Sequence, residues 1–122
     1  MNYPKHYDRL VRLMGELGAE IPNTIQAFQG LHKAAVAPDT LTTKTKELVA
    51  LGIAIAVRCD GCIAFHIHDA LKAGATRAEI IETLGVAVLM GGGPALMYAC
   101  EAMEALQQFE KEGIVSKEKI AV

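Results

Sequence analysis

Tryptophan is absent from this chain of 122 residues, and only three phenylalanines and three tyrosines are present. A core without large rings has to be filled by Ala, Leu, Ile, Val and Met. Charge of one sign is also lacking: the formal net charge is −2, with no basic stripe and no acidic block. That removes the electrostatic footprint of a nucleic-acid binder, of a binder of anionic membranes and of an acidic tail. The first residues, Met1-Asn2-Tyr3-Pro4-Lys5, hold no apolar core of a signal peptide. Cysteine is scarce and odd in number, at three, which argues against a secreted disulfide framework. No run shows the period-two alternation of a half-buried strand, and no repeat or low-complexity tract appears. The expectation is a soluble, cytoplasmic, all-α protein forming a single domain over residues 1–122, with no nucleic-acid or membrane partner.

One long apolar run needs separate treatment. Leu84 to Cys100 is seventeen residues without a charge, close to membrane-spanning length. Gly91-Gly92-Gly93-Pro94 splits it in the middle. Glycines and a proline there would break a spanning helix and expose its backbone to lipid. Two buried helices joined by a tight turn is the reading carried forward. An anion-binding nest at the glycines is disfavoured, because no Lys or Arg lies nearby and phosphate-loop spacing is missing.

The rest of the chain reads as helices in a compact bundle of about six. Tyr3 to about Leu17 is amphipathic, with Tyr7, Leu10, Val11, Met14 and Leu17 on one face. Pro22 opens a second helix, in which Ile25, Phe28, Leu31 and His32 recur at helical spacing. His6 and His32 read as structural. Pro38-Asp39-Thr40 is a break, and Thr42 or Thr43 caps a third helix to about Val57. Leu48 to Val57 is apolar all round, as in a helix buried inside a subunit or between subunits. A fourth helix runs to about Ala73, with Asp69 and Lys72 facing water, and Gly74 ends it. Thr76-Arg77-Ala78-Glu79 is a capping box opening a fifth, which carries Ile80, Ile81, Leu84, Val88 and Leu89 inward. Pro94 starts the last, with Leu96, Cys100 (or Ala99), Met103 and Leu106 inward and Gly113 closing it. Cys100, with no partner nearby in sequence, is read as packing. The charged tail Ser116 to Lys119 is expected to be mobile.

Chemistry concentrates between Glu47 and His66. Cys59 and Cys62 are three apart, and His66 follows Cys62 by four. A helix beginning near Asp60 or Gly61 stacks Cys62 and His66 on one face. Asp60 is a candidate N-cap, which places Cys62 at the positive end of the helix dipole, where a thiolate is favoured. A thiolate with a second thiol beside it and a base one turn away is suited to thiol–disulfide or peroxide chemistry. Zinc is the sharper rival, since Cys59, Cys62, His66 and His68 read as C-x2-C-x3-H-x-H. But residues two apart point roughly 200° apart around a helix, so both histidines cannot join one tetrahedral site with the cysteines. Haem attachment is excluded because Ile63 stands where that motif needs histidine. Cysteines buried as core filler are the bland alternative. No cofactor and no metal are expected.

The run Glu47-Leu48-Val49-Ala50-Leu51, then Cys59-Asp60-Gly61-Cys62, His66, Lys72-Ala73-Gly74-Ala75-Thr76 and Glu79-Ile80 resembles the carboxymuconolactone decarboxylase family. Specifically it resembles the branch typified by alkylhydroperoxidase D, over roughly Leu41 to Pro94. The resemblance implies an oligomeric all-helical subunit, a trimer or a hexamer built as a trimer of dimers. It implies a redox-active Cys59–Cys62 pair reducing peroxides or disulfides, reset by an external dithiol, with Cys62, Cys59, His66 and Glu47 in the site. The family's decarboxylases lack the cysteine pair. Alkylhydroperoxidase D has a histidine between its cysteines where this chain has Gly61, so a relay through that position is not carried over. Two other functions stay open: a lyase acting on a lactone acid, which would not need the cysteines, and a non-catalytic metal-binding helical protein.

Geometry alone does not bring Glu47 to the cysteines. In a plain antiparallel hairpin turning near Arg58, Glu47 lies about ten residues, roughly 15 Å, up the first helix, nearer Lys72 than Cys62. Steep crossing, a bend near Gly52, or a Glu47 from a neighbouring subunit would each close the gap.

Overall fold

The structure, a computed structural model, describes residues 1–114. The Ser116–Lys119 segment lies outside the described residues. Five helices follow one another: α1 (Tyr3–Glu20), α2 (Pro22–Val36), α3 (Thr43–Ala56), α4 (Asp60–Lys72) and α5 (Arg77–Lys111). No strand occurs among the described residues, so the fold is all-α.

The helix boundaries have local causes. Asn2 caps α1 by accepting from the Lys5 N–H, and Pro4 stands in the first turn. Thr42 caps α3 by accepting from the Thr45 N–H. Thr76 and Glu79 form the expected reciprocal capping box at α5. The Thr76 backbone N–H and then Lys44, 3.1 Å away, hold the Glu79 carboxyl below its ordinary range. Helices α3, α4 and α5 end in the same six-residue motif. After α4 the Gly74 N–H donates to Leu71 O and the Ala75 N–H to Ala70 O, with Gly74 at φ 98°. Gly113 and Ile114 repeat the pattern on Glu110 and Phe109. After α3 the left-handed position is Arg58, at φ 61°, with Arg58 N–H on Ile55 O and Cys59 N–H on Ala54 O.

The stretch from Arg77 to Lys111 holds the two expected helices, which meet at a kink with no separate turn between them. Its break is Gly92, at φ 70° and ψ −151°, a conformation open to glycine alone. The kink spares the Pro94 ring its clash with the preceding turn. A Cβ on Gly91 would come within 2.5 Å of the Ala95 Cβ, so the two limbs approach too closely for any larger residue. Thus α5 carries both of the helices expected between Thr76 and Gly113. By length and composition alone α5 is long and apolar enough to cross a membrane, and 22% of its most apolar window is buried within the chain.

The core is the meeting of α3, α4 and α5, with the first turns of α1 closing one end. Leu51, Ile55, Ile63, Ile67, Leu71, Ile80 and Leu106 are essentially fully buried. Tyr3 is buried among them, its hydroxyl donating to Glu101 Oε2 at 3.1 Å. Burial, then the Glu101 carboxylate, push the Tyr3 phenol well above its ordinary value, so it stays a donor.

Several inward assignments are reversed. The second limb of α5 buries Ala95, Ala99, Ala102 and Ala105, while Leu96, Met97 and Met103 face out. Cys100 is an exposed free thiol, not a packing residue, because Ala99 takes the inward place. Leu89 is 80% exposed. Val11, Met14 and Leu17 of α1, with Phe28 and Leu31 of α2, are exposed as well. Small alanines let α5 sit close on the core, and the larger side chains then have to point away. On α3, Val49, Ile53 and Val57 form an exposed stripe opposite the buried Leu51 and Ile55.

Candidate active site

The loop between α3 and α4 places the cysteines. The Arg58 turn delivers Cys59 to the N-cap of α4, where its sulfur accepts from the Cys62 N–H at 3.1 Å. Cys59, not Asp60, is therefore the cap, and Asp60 is the first helical residue. Cys59 and Cys62 are joined in a disulfide, with Cα atoms 5.1 Å apart. Both are partly buried, and Cys62 packs against the hydrophobic core. One further turn along α4, His66 lies on the Cys62 face.

Glu47 reaches this face within one chain. Its Oε1 lies 3.0 Å from His66 Nδ1. Helix α3 runs uninterrupted through Gly52, so no break there is needed. Glu47 lies beyond the first turn of α3, which contains no acidic residue, and it is 2% exposed. It is the one buried charged residue among the described residues. Such a group survives burial only when hydrogen-bonded, and the imidazole is its recorded partner. An ionised carboxylate can only accept, so against it His66 Nδ1 is the donor. The arrangement is a buried acid bonded to an imidazole on a helix whose N-terminal end carries a cysteine pair.

The two histidines of α4 go separate ways, as their spacing requires. His68 stacks on Tyr7 at 4.2 Å and 23°, and its Nδ1 lies 2.9 Å from Asp69 Oδ1. Burial pushes the Tyr7 phenol above its ordinary value. Asp69 is partly buried rather than water-facing. Gly61 lies under α1, where an added Cβ would come within 3.0 Å of Leu10 Cδ1. A histidine there would meet the N-terminal helix, so this chain closes the position by packing.

Sequence reasoning singled out Cys59, Cys62, His66 and Glu47; the structure bonds Cys59 to Cys62 and sets Glu47, from the first half of α3, against His66, one turn beyond Cys62 on α4. It missed that His32 of α2 and Asp69 of α4 also come near Glu47. No local spacing signals that meeting, because the three residues lie on three different helices.

The model of the carboxymuconolactone decarboxylase family matches residues 22–105. An uncharacterized protein of Cupriavidus necator is 42% identical over 92 residues, which is 75% of this chain and 81% of that one. A crystal structure of a carboxymuconolactone decarboxylase family protein from Legionella pneumophila is similar at 43% identity and a TM-score of 0.85, over 88% of this chain and 96% of that one. A second family structure, from Thermotoga maritima, is 33% identical with a TM-score of 0.69, over 75% of this chain and 93% of that one. That protein is described as a candidate for involvement in the antioxidative response.

Proposed function

This chain belongs to the carboxymuconolactone decarboxylase family, and on that premise we propose that it is a thiol-dependent peroxidase or disulfide oxidoreductase working through Cys59 and Cys62. The carrying observation is the 3.0 Å Glu47–His66 contact on the helix face of a bonded cysteine pair. A lone packing cysteine has no use for a buried acid that orients a base one turn away. In the reduced state Cys62 is the attacking thiolate, supported by the N–H groups of the α4 first turn. His66 Nε2 takes its proton, directly or through a water, and Glu47 fixes the imidazole. The thiolate attacks a peroxide O–O bond, which breaks to leave an alcohol and a Cys62 sulfenic acid. The Cys59 thiol condenses with it, releasing water and forming the disulfide. An external dithiol attacks Cys59, the outer sulfur, and leaves as its own disulfide while both thiols are restored. The working place is the cytoplasm, where such dithiols are kept reduced.

A sulfenic-acid trapping reagent tests these roles. After peroxide it should label Cys59→Ser, whose attacking sulfur has lost its resolving partner, and leave Cys62→Ser unlabelled. The reverse labelling overturns the assignment. A lactone-acid lyase is the second reading, and it would show as activity surviving the double Cys59→Ser, Cys62→Ser variant.

A further inference from the structure

His32 of α2, Glu47 of α3 and Asp69 of α4 each bring one donor atom toward a common point, and these atoms all lie within 4.8 Å of one another. Glu47 is 2% exposed, Asp69 is half-buried and His32 is exposed. A buried carboxylate close to a second carboxylate is costly unless positive charge lies between them. Among the described residues neither acid forms an ion pair with a lysine or arginine. Their recorded partners are imidazoles, His66 on Glu47 at 3.0 Å and His68 on Asp69 at 2.9 Å. Carboxylates that ligate a metal are themselves held by outer hydrogen bonds, and these two have such partners.

We propose that His32, Glu47 and Asp69 form a binding site for a divalent cation of the zinc or manganese class. One imidazole nitrogen with two carboxylate oxygens suits these ions better than calcium, which takes six to eight oxygens. Ligand bonds of about 2.0–2.2 Å set donor atoms roughly 3–4 Å apart, and the exposed His32 ring is free to close the remaining gap. The site is distinct from the C-x2-C-x3-H-x-H set, since it uses neither cysteine. It also answers a weakness in the fold. Helix α2 has no buried residue, so apolar packing within the chain holds it loosely. A cation would tie α2 to the α3–α4 hairpin and stand directly beside the Glu47–His66 pair.

Calorimetric titration with Zn²⁺ and with Mn²⁺ tests the site. The protein should be in its Cys59–Cys62 disulfide form on a Cys100→Ser background, so that no thiolate competes. The expected result is one ion per chain, with a melting temperature that rises on metal addition and falls back with chelator. His32→Ala or Asp69→Asn should weaken binding at least tenfold. His32 is exposed, so His32→Ala decides the matter even if Asp69→Asn folds poorly. Absence of binding, or binding unchanged by His32→Ala, overturns the proposal. Every readout is binding, so a failure of peroxide turnover would leave the site standing, and a failure here would leave the cysteine chemistry standing.

Discussion

Glu47 shows what a single residue needs from a fold. It lies on the third helix, five positions in, and only the packing of α4 against α3 gives its carboxylate a partner. In the proposed mechanism it acts through His66, holding the ring by Nδ1. Glu47→Gln keeps the shape and an acceptor but removes the charge that stabilises the protonated ring. The expected outcome is a kcat/KM for peroxide lowered about 10- to 100-fold, with circular dichroism unchanged. Unchanged turnover would show that the buried acid is merely structural. The cysteine–histidine spacing was legible in the chain because Cys59, Cys62 and His66 share one helix start. Glu47 was legible only through family resemblance, since periodicity shows an acid near a helix entry and nothing more. His32 and Asp69 left no trace in sequence as neighbours, because tertiary packing alone brings them together.

At the scale of helices, the start and stop signals carried most of the information. Asn2, Thr42 and the Thr76–Glu79 box open their helices, and Gly74 and Gly113 close theirs. The end of α3 near Val57 was legible, but not its closing residue, since Arg58 occupies the left-handed position that glycine usually takes. That position costs a non-glycine residue about 1 kcal/mol or more. Arg58→Gly should therefore raise stability, by roughly 0.5 kcal/mol once the added freedom of the unfolded chain is set against it. Urea denaturation measures this, and a fall in the midpoint at unchanged slope would contradict it. On α5 the inward places of Ile80, Leu84 and Leu106 were legible, while the others of the second limb were misjudged for a packing reason. Periodicity favours the large residues for the core, whereas this helix approaches through Ala95, Ala99, Ala102 and Ala105. The break at Gly91–Gly93 was legible as a break but not as a kink, since glycine permits both.

As a whole molecule, the chain leaves a great deal of apolar surface uncovered. Val49 and Ile53 of α3 flank a groove whose other wall is Val86 and Met90 of α5, with a cavity of about 450 Å³ between them. Phe28 and Leu31 of α2 are more than 60% exposed. Apolar area of this kind is what a subunit interface covers. We propose a homohexamer, and light scattering at micromolar concentration should report about six times the 13.0 kDa of one chain. A mass near one chain would refute the interface. In the proposed chemistry two thiols of each chain, and not the third, turn over together. Its most direct test is a free-thiol count on fully reduced protein before and after one equivalent of peroxide. The count should fall from the three cysteines of the sequence to the lone exposed Cys100. A count that stays at three, or a loss that disappears in Cys100→Ser, would contradict the account.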